Sequence, residues 1–250
     1  WAFPPGDPVI ANLARLEPEI EELAAAGGGY SLADVALRAP VANPGKIIGA
    51  PVNYHAHQEE ADDDEALNQG GRVMPIDEIG LFLKATSALA GPADGIRLRF
   101  PGRRTDHEGE IVAVIGRTVS QVEPDDALDA VAGYTLGLDM SLRGKEDRSF
   151  RKSCDSYAVT GPWFVTADEI GDPGAMAVET SVNGELRQQG DTSQLIRSIA
   201  ELVAMASAFY TLYPGDLIMT GTPAGVAPVA PGDIVEVRSP TIGTLRVAVS

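Results

Sequence analysis

The chain holds 250 residues, 44% of them hydrophobic and 22% charged, with one cysteine and a formal net charge of −17. That composition excludes wholesale disorder, and a lone Cys154 excludes a disulfide-stapled scaffold. No run approaches the roughly 20 apolar residues that span a bilayer, and the acidic field repels nucleic acid and anionic lipid, so neither is an expected partner. No secretory signal is apparent, and a single thiol fits a reducing compartment, so a cytoplasmic location is expected.

In chain order, residues 7–26 read as a helix with Leu13, Leu16, Ile20 and Leu23 on one face, stopped by Gly27-Gly28-Gly29. Residues 46–50 read as a short buried strand. Residues 56–67 suit a solvated helical loop dense in Glu and Asp. Residues 81–84 are strand-like. Residues 109–116 form a strand around the apolar run Ile111-Val112-Ala113-Val114-Ile115, and residues 134–139 form another. Across residues 192–212, Leu195, Ile199, Leu202, Val203 and Ala206 recur at helical spacing. Pro214-Gly215-Asp216 and Pro231-Gly232-Asp233 are turn signals before strands at 217–220 and 234–237, and 243–249 is the last strand. Short strands with few helices predict a β-rich α+β roll or sandwich with short helices rather than a doubly wound sheet.

Three segments carry candidate chemistry. In Asp106-His107-Glu108-Gly109-Glu110, strand alternation puts Glu108 and Glu110 on one face. Two such carboxylates repel unless a hard divalent cation lies between them, and Asp139 at the end of another strand offers a third oxygen. An exposed strand edge is the alternative. Arg143, Lys145, Arg148, Arg151 and Lys152 concentrate positive charge directly after Asp139, which suits an anion site or, with Glu146 and Asp147 interleaved, a salt-bridged loop. His57 and Glu60 stand at i, i+3, where a carboxylate would fix the imidazole tautomer for water activation; a surface helix with incidental histidines reads equally well. No GxSxG elbow and no phosphate loop is present, and Cys154 reads as a buried structural thiol.

The ordered set of these segments resembles the fumarylacetoacetate hydrolase family. The landmarks run from Lys46-Ile47-Ile48-Gly49 through Asn53-Tyr54 and His57, Phe82-Leu83-Lys84, Asp106 to Glu110, and Asp139 to Arg143. Lys152-Ser153-Cys154-Asp155, Gly161-Pro162, Val182-Asn183-Gly184 and Thr220-Gly221-Thr222-Pro223 complete it. One departure is Val52, where a glycine often precedes the Asn-Tyr pair. The resemblance implies a catalytic domain over 46–250 behind a variable region at 1–45, and a β-rich, usually dimeric roll. It implies Mg²⁺ or Mn²⁺ on Glu108, Glu110 and Asp139, a His57/Glu60 dyad on a mobile lid over about 56–73, and a substrate-polarising Lys152. It also implies substrate contacts from Tyr54, Lys84, Arg143 and Thr222. The implied reaction is hydrolysis of a C–C bond in an acylpyruvate-like β-diketo acid, a small anionic oxo acid, through a metal-stabilised enolate. Decarboxylation of an oxaloacetate-like acid, isomerisation of a 2-hydroxymuconate-type acid, and an inactive ligand-binding relative are the alternatives.

Overall fold

The computed structural model describes residues 6–68 and 71–250. Along the chain lie α1 (Leu13–Ala26), β1 (Ile47–Gly49), α2 (His55–Asp63), α3 (Glu65–Asn68), α4 (Ile76–Ile79), β2 (Phe82–Lys84) and β3 (Leu89–Ala90). Next come β4 (Thr105–His107), β5 (Gly109–Ile115), α5 (Pro124–Ala127), β6 (Val131–Asp139), β7 (Ser141–Leu142), α6 (Arg148–Arg151) and β8 (Ala158–Thr166). The remainder is α7 (Ala167–Ile170), β9 (Ala177–Val182), β10 (Glu185–Asp191), α8 (Ile199–Phe209), β11 (Leu217–Met219), β12 (Ala227–Pro228), β13 (Ile234–Ser239) and β14 (Gly243–Ala248).

The apolar run of β5 sets the architecture. Every residue of β5 is buried, and both its neighbours, β11 and β6, pair with it antiparallel. It sits in the middle of a seven-stranded sheet ordered β2-β1-β11-β5-β6-β8-β3. Ile111, Ala113 and Ile115 face a large core shared with α8 and with Val178, Val235, Val237 and Leu245 of a four-stranded sheet, β10-β9-β13-β14. Val112 and Val114, on the opposite face, pack on a smaller core with Ile10, Val41 and Ile47. A continuous apolar run is what a strand covered on both faces requires. The fold is therefore the β-rich α+β sandwich that the sequence predicts, completed by a small sheet β12-β4-β7.

Several element boundaries differ from expectation for local reasons. The acidic helix breaks at Asp64, whose Oδ1 accepts the Ala66 N–H at 2.8 Å and starts α3. The helix expected across 192–212 covers only Ile199–Phe209, because Ser198 and Glu201 form a capping box that starts it there. Strands β8, β9 and β10 escaped the sequence pattern: Gly161-Pro162 interrupts β8, and most of β10 is exposed and polar. The terminal helix forms over Leu13–Ala26 after one 3₁₀ turn, and it buries none of its residues. Cys154 is half-buried rather than buried, and burial raises its thiol pKa.

Close approach of the two larger sheets rests on Gly109. A Cβ there would lie 1.9 Å from Thr180 Oγ1 of β9. Gly109→Ala should lower stability by about 1–3 kcal/mol through overpacking, read from urea denaturation. An unchanged midpoint would show that the sheets tolerate a wider gap there.

Candidate active site

Strand register brings the three acids together. Glu108 and Glu110 are two residues apart at the start of β5, so they share a face. The Asp139 N–H donates to Glu108 O at 2.9 Å, so Asp139 ends β6 directly across from Glu108. Residues directly opposite in an antiparallel pair share a face. Oxygen atoms of Glu108, Glu110 and Asp139 lie within 4.8 Å of one another, and all three residues are buried.

Lysines and an arginine answer most of this charge. Lys152 Nζ donates to Glu108 Oε2 and to Asp139 Oδ2, each at 2.7 Å. Lys84 Nζ pairs with Asp139 Oδ1. Arg143 forks between Asp106 Oδ2 and Glu108 Oε1, both at 2.7 Å. Burial opposes ionisation of Glu108, but Lys152 and Arg143 outweigh it and hold its carboxyl well below the usual range. Glu110 is the exception. It has no cationic partner within salt-bridge distance among the described residues, and its Oε2 accepts the Gly221 N–H at 2.8 Å. Burial and then the Asp139 charge push its carboxyl well above the usual value. Three hard oxygen donors, one of them short of a counter-charge, fit a divalent cation such as Mg²⁺ or Mn²⁺.

His57 shares one cavity of about 250 Å³ with Glu108 and Glu110, and its wall also includes Arg143, Lys152 and Thr222. Its Nδ1 lies 2.8 Å from Glu60 Oε2, and Glu60 Oε1 accepts the Gly225 N–H at 3.0 Å. The carboxylate is thus fixed at both ends, and Nδ1–H donation to it leaves the Nε2 lone pair free to act as a base. Thr222 Oγ1 donates to Gly109 O at 2.8 Å and accepts from Gln188 Nε2 at 2.7 Å. Ala61 and Leu67 of α2 and α3, with Val73 and Met74, form an apolar cover over the cavity. Residues 69 and 70, inside the expected lid over about 56–73, lie outside the described residues.

Two anticipated substrate contacts stand elsewhere. Neither Tyr54 nor Lys84 is on the cavity wall. Lys84 is fully buried, and its ammonium group is committed to Asp139. Tyr54 is buried behind the site at the start of α2, where burial, then Glu110 and Asp191, raise its phenol. The basic cluster divides. Arg143, Arg148, Arg151 and Lys152 reach the cavity, and Lys145 is exposed. Gln188 was not legible as part of the site, since Arg187-Gln188-Gln189 reads as a solvated edge, yet its side chain is buried. Val52 adopts φ +48°, the left-handed region that costs a β-branched residue about 1–2 kcal/mol, and its side chain lines the cavity.

Residues 46–250 match the fumarylacetoacetate (FAA) hydrolase C-terminal family. A maleylpyruvate hydrolase of Aquipseudomonas alcaligenes is 49% identical, over 100% of this chain and 88% of that protein. The crystal structure of maleylpyruvate hydrolase from Sphingobium sp. SYK-6 in complex with manganese(II) and pyruvate superposes with a TM-score of 0.83 at 40% identity, covering 96% of this chain and 83% of that one. A 5-carboxymethyl-2-hydroxymuconate delta-isomerase from Mycobacterium smegmatis gives a TM-score of 0.75 at 38% identity, over 89% and 85% of the two chains. No helix among the described residues is long and apolar enough to cross a membrane. With sequence, fold and a buried carboxylate triad in agreement, the chain belongs to the fumarylacetoacetate hydrolase family and is a divalent-metal-dependent C–C bond hydrolase.

Proposed function

We propose that this protein hydrolyses an acylpyruvate, a β-diketo acid, and that Glu108, Glu110 and Asp139 hold Mg²⁺ or Mn²⁺. The observation that carries this reading is that His57, paired with Glu60, shares one cavity with Glu108 and Glu110 of the carboxylate cluster. Hydrolysis needs a base that activates water opposite the electrophile, whereas loss of CO₂ from an oxo acid does not. Maleylpyruvate, named for two of the relatives, is an acylpyruvate, and that supports the substrate class.

In this reading the pyruvoyl end lies at the carboxylate cluster, where a bound divalent ion supplies Lewis-acid stabilisation of the charge that develops on the 2-oxo oxygen. Lys152 and Arg143 offset the anionic charge of the substrate carboxylate, and Thr222 contacts the pyruvoyl group. His57 Nε2 removes a proton from water, and the water oxygen attacks the distal acyl carbonyl. The C–C bond to the methylene breaks, and its electron pair passes toward the 2-oxo group. The proton returns from His57 to the methylene carbon, giving pyruvate and a carboxylic acid. Glu60, held by Gly225 N–H, stabilises the imidazolium in between. The apolar cover that α2 and α3 contribute to excludes bulk water from the cavity, and we assign it the role of the lid.

Residues 46–250 are proposed as the catalytic domain and 1–45 as a variable N-terminal region, in a cytoplasmic homodimer. The dimer rests on family resemblance, and light scattering that gives a monomer at micromolar concentration would remove it.

His57→Ala should lose about 10²–10⁴-fold in kcat on acetylpyruvate while retaining any turnover of oxaloacetate. A wild-type enzyme that decarboxylates oxaloacetate and cleaves no β-diketo acid would overturn the hydrolase reading.

Glu110 gives a test without turnover. Its carboxyl is raised in the folded protein, so the stability it contributes is present below the unfolded pKa and is lost as pH rises through the folded one. In EDTA at pH 8, Glu110→Gln should therefore melt above wild type. Mn²⁺ should reverse the order, because only wild type gains the binding free energy, about 2.7 kcal/mol at a hundredfold excess over Kd. Equal Mn²⁺ stabilisation of both proteins would exclude Glu110 as a ligand.

A further inference from the structure

The cavity wall carries more positive charge than the carboxylates around it use. Asp106, Glu108, Glu110 and Asp139 face Lys84, Arg143 and Lys152. Arg104 bridges Asp106 to Asp64 and is balanced there. One divalent cation and one substrate carboxylate bring this set to neutrality. Arg148 and Arg151 stand outside it.

Neither has a carboxylate partner within salt-bridge distance among the described residues. Arg151 is 6% exposed; its Nη1 donates to Leu142 O at 3.1 Å and its Nε has no partner. The Arg148 guanidinium lies 5.8 Å from the Phe82 ring centroid, a cation–π contact without a counter-ion. Both arginines line the same cavity as His57 and Glu108, and they stand at i, i+3 on α6, so they share a side. Burial is the main cause that holds both guanidinium groups below the ordinary arginine value. A buried cation without a counter-ion is costly unless an anion arrives to pair with it. Arg72, the remaining basic residue on the wall, is exposed and already paired with Glu78.

We propose that Arg148 and Arg151 form a second anion subsite, which receives a carboxylate at the far end of the acyl chain. On a diacid of the maleylpyruvate type, with one carboxylate at the pyruvoyl end and one at the acyl end, these two arginines are then the specificity-determining residues for the acyl end. This rests on the acylpyruvate-hydrolase reading above. Guanidinium groups suit the task because their planar N–H pairs match a carboxylate in two-point contact.

The test compares kcat/KM for maleylpyruvate, a diacid, and acetylpyruvate, which lacks the second carboxylate, on the full chain with saturating Mn²⁺. Wild type should prefer the diacid. Arg148→Gln should lower the diacid-to-acetylpyruvate ratio about 10- to 100-fold, the value of a charge-assisted hydrogen bond. Arg148 is only half-buried, so this variant should fold; Arg151→Lys, which keeps the charge and loses the fork, should lower the ratio in the same direction. A ratio unchanged in both variants overturns the subsite. Wild-type cleavage of acetylpyruvate in preference to the diacid also overturns it, and leaves the hydrolase reading standing. Cleavage of neither substrate overturns both.

Discussion

The structure depends on keeping three carboxylates together in a place nearly closed to solvent. Pairing of β5 with β6 makes this unavoidable, because the register that buries Ile111 and Leu136 also sets Asp139 opposite Glu108. An unanswered cluster of this kind would neutralise by protonation or break the pairing. The chain answers with lysines and an arginine drawn from β2, the residue after β7 and the segment around α6. Three of the chain's 19 lysines and arginines are thereby committed to one carboxylate cluster, in a protein of net charge −17. Among the described residues Glu110 is left without such a partner, and this incomplete compensation separates a cation-binding cluster from a finished salt-bridge network.

The same strand carries the opposite requirement on its other face. Glu108 and Glu110 point toward the cavity, and Gly109 between them points toward β9, where only a hydrogen fits against Thr180. Gly137, opposite Glu110 on β6, is likewise confined, since a Cβ would meet Val112 Cγ2 at 2.6 Å. Binding and packing are thus interleaved residue by residue along one strand pair. The carboxylates stand on a strand pair packed so closely that Gly109 and Gly137 have no room for a side chain.

What the sequence made legible follows the range of its signals. The β5 run and the Glu-x-Glu pair are local patterns, and period two in a strand is enough to place both. The His57/Glu60 contact is also local, one turn of α2. Gly225 N–H on Glu60 and Gln188 on Thr222 join segments 165 and 34 residues apart, and no spacing rule anticipates them. Lys84 shows the limit from the other side. The family resemblance implies a substrate contact there, but its depth, which only the fold decides, makes it a counter-ion to Asp139. Arg148 and Arg151 were visible as charge, while their lack of partners became visible only when Glu146 was seen to pair with Arg103 instead.

Placement also separates the three histidines. His55 is exposed at the start of α2. His107 is fully buried, and the donors and acceptors around it fix its state. Gln188 Nε2 donates to Pro223 O and to Thr222 Oγ1, so its Oε1 must be the atom that accepts from Gly109 N–H. That same Oε1 faces His107 Nδ1 at 3.0 Å, so Nδ1 carries the proton. Nε2 has no partner among the described residues, and burial lowers the His107 pKa, which favours the neutral ring. It is therefore a spacer that orients Gln188 and has no route to a substrate proton. Gln188 in turn commits the Thr222 hydroxyl hydrogen to Gly109 O, which leaves Thr222 a lone pair to offer the cavity. Only His57 combines a fixed tautomer with a free nitrogen on the cavity wall, so the base in any water-dependent chemistry here is decided by hydrogen-bond accounting as well as by distance.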